Sequence, residues 1–141
     1  METAFTRKLN DLQQAMTNFR DSLSLEPALF PELVADTIKS GQIQKFEFTI
    51  ELLWKTVQAF LLDVDGVDVA TPKSVVKAFV EAGYCDYDIY ELFMRAINDR
   101  NLLSHVYRQE MAETIRCRLP EYEVMTERIL KAMCLKQDGN G

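Results

Sequence analysis

The chain has 141 residues, 48% of them hydrophobic and 27% charged, and a formal net charge of −6. That length supports one domain with a proper core but not two, and the balance of apolar and charged residues excludes wholesale disorder. An acidic chain is also unsuited to general nucleic-acid binding, which draws most of its affinity from Lys and Arg neutralising phosphates, so DNA is not expected as a partner.

The first residues, Met1 to Thr6, lack a basic segment followed by an apolar run, so no signal peptide is expected. From Thr3 to Leu23 the apolar residues Phe5, Leu9, Leu12, Met16, Phe19 and Leu23 recur at steps of three and four, which predicts a helix. Pro27 and Pro31 then mark a loop.

A second helix is predicted from about Glu32 to Leu62, with Val34, Ile38, Ile43, Phe46, Ile50, Leu53, Trp54, Val57, Phe60 and Leu61 as its buried stripe. Gly41 lies inside that pattern and marks a place for a break or bend. Glu47, Glu51 and Lys55 stand four apart and line a second, polar face. They suit either a solvated face with an ion pair or a strip turned towards a neighbouring helix.

Residues 63–68, Asp63-Val64-Asp65-Gly66-Val67-Asp68, read as a turn. They lack the glycine and glutamate spacing of a calcium loop, and no metal is expected. Thr71 as N-cap and Pro72 at the first helical position open a short third helix to Ala82, stopped by Gly83. A fourth is predicted from Tyr87 to Leu102 with Ile89, Leu92, Phe93, Ala96 and Ile97 inward. Tyr84, Tyr87 and Tyr90 cluster near its start, suiting junction packing better than base stacking. Helical period returns from Gln109 to Arg118. Pro120 marks a kink or a fresh start, and a last helix to about Lys136 turns Tyr122, Val124, Met125, Ile129, Leu130 and Met133 inward. Residues 137–141 are expected to fray.

No strand pattern, internal repeat or low-complexity segment interrupts this series. Few Gly and Pro and abundant Leu, Glu, Ala and Met agree with it, so the expected architecture is all-α: an up-and-down antiparallel helical bundle of four-helix type, one domain over 1–141. Cys85, Cys117 and Cys134 are odd in number and scattered. They fit thiols in a reducing cytosol better than a disulfide framework or zinc site, so a cytoplasmic location is expected. No window approaches the ~20 apolar residues needed to span a bilayer, and no membrane partner is expected. Walker loops, glycine-rich dinucleotide loops and serine nucleophile elbows are missing, so most enzyme classes lack a visible site.

One stretch remains, Asn98-Asp99-Arg100-Asn101-Leu102-Leu103-Ser104-His105-Val106-Tyr107. It holds the only histidine of the chain, five positions after an arginine and two before a tyrosine. Histidine titrates nearest to neutral pH and suits proton transfer, while an arginine fork suits phosphate oxygens. An Arg and a His a few residues apart are also common as ordinary surface or packing residues. Between Arg95 and Arg118 five basic residues face three acidic ones, against 11 and 19 elsewhere, so local phosphate contact fits better here than in the rest of the chain. Residues five apart on a straight helix diverge by about 140°. Arg100 and His105 therefore need an interruption between them, or a second chain, to converge. Leu102 and Leu103 would be buried at such a bend and Ser104 would cap the next helix, with the motif opposite the Glu47–Glu51–Lys55 strip.

Arg100 to Tyr107 matches the R-x4-H-x-Y motif of the HEPN superfamily, and the run Gln44 to Lys55 resembles the second-helix signature of its toxin–antitoxin branch, also described as nucleotidyltransferase substrate-binding proteins. The likeness extends from about Phe5 to Leu135. The resemblance implies an all-α homodimer that brings two motifs to one cleft, and a minimal nucleotidyltransferase as partner. It also implies metal-independent cleavage of RNA by a toxin. Carried over, His105 serves as general acid or base, Arg100 stabilises phosphoryl charge, and Tyr107 matches the tyrosine that the partner adenylylates with its own ATP. The chain itself is expected to need no cofactor. Glu51 and Lys55 match an acidic-x3-basic pattern, and with Glu47 and Ser104 they are expected to support the pair. The alternative is a non-catalytic subunit that presents a nucleotide or other substrate to the nucleotidyltransferase.

Overall fold

The computed structural model describes the backbone of residues 2–105 and 109–139 and the side chains of residues 2–104 and 111–137. Among these residues there is no strand: the chain is all-α, as α1 (Ala4–Leu23), α2 (Glu32–Asp65), α3 (Pro72–Glu81), α4 (Tyr87–His105) and α5 (Gln109–Gly139), with a short 3-10 turn at Pro27–Leu29. Among the described residues no helix is long and apolar enough to cross a membrane.

Local chemistry sets the ends. Thr3 caps α1 by accepting from the Thr6 amide at 3.0 Å. Thr71 and Ser74 form a reciprocal capping box at the start of α3, with Pro72 just inside. The turn expected at Asp63 comes later: α2 runs on to Asp65 and stops at Gly66, whose φ of 67° is the left-handed conformation a glycine accepts most readily. Gly41 causes no break, because α2 continues through it. Pro120 likewise lies inside α5, which is one helix where two were expected and which extends through Gly139 into the stretch expected to fray.

α1 packs most extensively on α2, α3 links α2 to α4, and α2 also touches α4 and α5, so α2 is the central element. The core is a single cluster in which Phe5, Phe19, Phe46, Phe60, Phe79, Phe93 and Tyr122 are fully buried. These aromatics meet in offset contacts typical of protein interiors, such as Phe5 on Phe60 at 5.3 Å and Phe46 stacked on Tyr122 at 5.2 Å. Two expected core positions, Val34 and Val124, are exposed, and Ile38, Ile43, Trp54, Leu92 and Leu130 are only half-buried. Val34 lies in the first turn of α2 and Val124 on the outer side of α5, so period alone places both too deep. Of the tyrosine cluster, Tyr84 packs against Phe60 and Phe79 while donating to Asp65 at 2.7 Å, and Tyr87 is exposed.

Candidate functional site

The Arg–His stretch occupies the end of α4, and its first surprise is continuity. Arg100 and His105 belong to the same helix, with no interruption between them. Asn101, Leu102, Leu103 and Ser104 include neither Gly nor Pro, and leucine favours helix, so nothing in the segment forces a break. Ser104 does not cap a following helix. Its hydroxyl bonds back to the Arg100 carbonyl at 3.3 Å, the usual option for a serine inside a helix. Leu102 is exposed and Leu103 only half-buried, so neither fills a bend. The side chain of His105 and the whole of Tyr107 lie outside the described residues.

Arg100 is half-buried and aims at α2. Its Nη2 lies 3.3 Å from Glu51 Oε2, and its Nη1 donates to Ser104 Oγ at 3.1 Å. Its Nε is buried with no acceptor among the described residues. Glu51 is held from three sides: it accepts from Trp54 Nε1 at 3.2 Å, pairs with Lys55 Nζ at 3.1 Å and meets Arg100. The polar strip of α2 therefore faces the motif and is not merely a solvated face. Its i,i+4 Glu51–Lys55 pair is present as well.

The two carboxylates of that strip sit in opposite electrostatic environments. Burial drives the Glu47 carboxyl above its ordinary value, and the charge of Arg100 offsets only part of this. Burial pushes Glu51 the same way, but the hydrogen bonds of Trp54 and Lys55 and the charges of Arg100 and Lys55 outweigh it and hold Glu51 below the ordinary range.

Beside Arg100 lies a residue that sequence reasoning did not single out. Asp99 is only 2% exposed. Both its oxygens accept from Arg118 Nη1 at 2.9 Å, and the Tyr122 hydroxyl donates to it at 2.5 Å. Arg95 Nε in turn donates to that hydroxyl at 2.8 Å, its guanidinium lying 5.1 Å from the centre of the tyrosine ring. Burial and the hydrogen bond to Asp99 raise the Tyr122 hydroxyl far above its ordinary value, so it stays a donor. The available signal was positional: Asp99 falls on the same α4 face as Ala96, three residues before it, which the apolar pattern turns inward. The arginines from Arg95 to Arg118 whose side chains are described each meet a partner, Arg116 pairing with Glu113 at 2.8 Å. Much of the local basic excess is thus spent inside the fold.

The described residues thus form an all-α domain with a half-buried arginine held between α4 and α2, five positions before the one histidine of the sequence. The sequence matches the model of the family described as "Nucleotidyltransferase substrate binding protein like" over residues 3–134, and the chain belongs to that family, within the HEPN superfamily. It is 26% identical over 107 residues to "Probable ribonuclease HepT" of Haemophilus influenzae, a match covering 73% of this chain and 72% of the relative. Its structure resembles a crystal structure of a Thermus thermophilus protein, ttk003001694, with a TM-score of 0.76 at 30% identity, covering 86% of this chain and 98% of that one.

Proposed function

We propose that this chain is a metal-independent endoribonuclease, the toxin of a type II-like pair that a minimal nucleotidyltransferase neutralises. The observation that carries the reading is the placement of Arg100. Among the described residues its terminal nitrogens are each engaged once, by Ser104 and by Glu51, leaving each a further N–H on a side chain 31% exposed. A planar, permanently charged fork in that state suits the non-bridging oxygens of a phosphodiester. The name of the Haemophilus influenzae relative supports the same reading.

In the proposed reaction His105 takes the proton of a ribose 2′-hydroxyl as O2′ attacks phosphorus. The bond from phosphorus to O5′ breaks, and O5′ leaves with the proton that His105 gives back, which returns the imidazole to its neutral form. The products are a 2′,3′-cyclic phosphate and a 5′-hydroxyl. Arg100 stabilises the charge that builds on the phosphoryl oxygens, a preorganised electrostatic contribution. Two copies of the chain would bring two motifs to one cleft. Adenylylation of Tyr107 by the partner would place bulk and negative charge where the RNA phosphate must sit, switching cleavage off.

The test is cleavage of RNA by purified protein in the presence of a chelator. Wild type is expected to cut, and His105→Ala to abolish cutting. Undiminished cleavage by His105→Ala overturns the assignment. A second reading, a non-catalytic subunit presenting a nucleotide to a nucleotidyltransferase, is favoured by the family's own description and by the net charge of −6. Nucleotide binding without any cleavage would establish it instead.

A further inference from the structure

Consecutive residues on a helix diverge by about 100°, so Asp99 and Arg100 leave α4 in different directions. Asp99 turns to α5, where Arg118 and Tyr122 hold it, and Arg100 turns to α2, where Glu51 meets it. Tyr122 connects the two directions. Its hydroxyl grips Asp99 on α4, while its ring stacks on Phe46 of α2 at 5.2 Å and 19°, next in sequence to Glu47. Both partners of the Arg100–Glu51 contact are thereby referenced to one buried side chain.

We propose that Asp99 is a positioning residue for Arg100: clamped to α5 by Arg118 and Tyr122, it fixes the rotation of α4 about its axis and so aims the Arg100 fork at Glu51 on α2. The proposal deepens, and rests on, the reading of Arg100 as the group that holds the phosphate. Geometry sets the stake. A helix free to turn by about 20° carries a group ~6 Å from its axis through ~2 Å. Misplacement of a catalytic group by about 1 Å can cost ~100-fold in rate. Hydrophobic contacts along α4 oppose such a turn only softly, whereas two hydrogen bonds from Arg118 and one from Tyr122 to a single carboxylate are directional.

The experiment reads the Arg100 Nε–H signal in an ¹H–¹⁵N spectrum of the whole chain, identified by its disappearance in Arg100→Lys. That nitrogen is buried, so its proton is shielded from solvent. Asp99→Asn keeps the shape and removes the charge. Tyr122→Phe keeps the Phe46 stack and removes only the hydroxyl, and it serves where Asp99→Asn does not fold. Ile129→Val, about two turns further along α5, is the control for general loosening of the core. The signal is expected to collapse towards the position of unconstrained arginine in the first two variants and to stay in place in the control. With RNA, kcat/KM is expected to fall about 10- to 100-fold in the first two and to stay within about twofold in Ile129→Val. An unmoved signal in Asp99→Asn and Tyr122→Phe, or an equal collapse in the control, overturns the proposal. If wild type cuts no RNA the nuclease reading fails, and the spectra alone still decide whether Asp99 places Arg100.

Discussion

Asp99 and Arg100 are neighbours in sequence and opposites in circumstance. The carboxylate of Asp99 is sealed inside the protein, and both its oxygens are occupied by groups that cannot leave without cost. The guanidinium of Arg100 is partly open to solvent and, among the described residues, keeps N–H groups without an acceptor. The carboxylate completes its hydrogen bonds within the fold, and the guanidinium leaves capacity at the surface. The difference teaches that adjacency in sequence does not set the surroundings of a charged group, because the helix turns one side chain inward to α5 and the next towards α2 and solvent.

Substitutions should therefore separate the two pairs by what they damage. The largest effect is expected from Arg100→Ala on RNA cleavage, a loss of about 100- to 1,000-fold in kcat, the scale of removing one preorganised donor from a developing charge. Its thermal stability should change little, because a half-exposed ion pair contributes roughly 0–1 kcal/mol. Parallel kinetics and melting curves check both halves, and a large fall in stability without loss of rate would reverse the distinction.

Next in size is Asp99→Ala. It strips a buried partner from the Tyr122 hydroxyl and unpairs Arg118, a loss expected to cost about 2–4 kcal/mol by denaturant unfolding. The cost stays below that of breaking a fully buried pair because the Arg118 side chain is 33% exposed and partly rehydrates. Arg118→Ala should destabilise comparably, and the double variant should fall well short of the sum of the two. Additive losses would mean that the carboxylate and guanidinium do not act as a unit.

How much of this was legible beforehand follows from the kind of signal each residue sends. Amphipathic period, Pro72 and Thr71 are enough to place the first four helices, the last one as two pieces, and most of the core, because burial and capping act over one to three turns. Gly41 reads as a place for a break or bend and Pro120 as a kink or a fresh start, yet α2 and α5 run on through both: tertiary packing overrides a local penalty of about one to a few kcal/mol. The polar strip was visible as a pattern, but whether Glu51 met solvent or Arg100 depended on how α2 and α4 pack, which spacing within one helix does not encode. Asp99 stayed hidden for the same reason. Its partners lie 19 and 23 residues away on α5, and an aspartate beside a conspicuous arginine reads as part of a solvated face.

The smallest effects sharpen the comparison within the strip itself. Glu51 is held below its ordinary range, so its ionised form stabilises the fold above the unfolded carboxyl value of about 4.3, and that contribution disappears as pH falls through the lowered folded value. Glu51→Gln should accordingly be less stable than wild type near pH 7, by less than about 1 kcal/mol, with the gap closing in acid. Glu47 has the opposite sign. Its folded value is raised, so the protonated form is favoured in the fold, and the advantage present below about 4.3 is lost as pH rises through the raised value. Glu47→Gln should match wild type in acid and exceed it at neutral pH. Melting temperatures across pH 3 to 7 read both slopes at once. Parallel responses from the two variants would show that Arg100 and its neighbours do not distinguish carboxylates one helical turn apart.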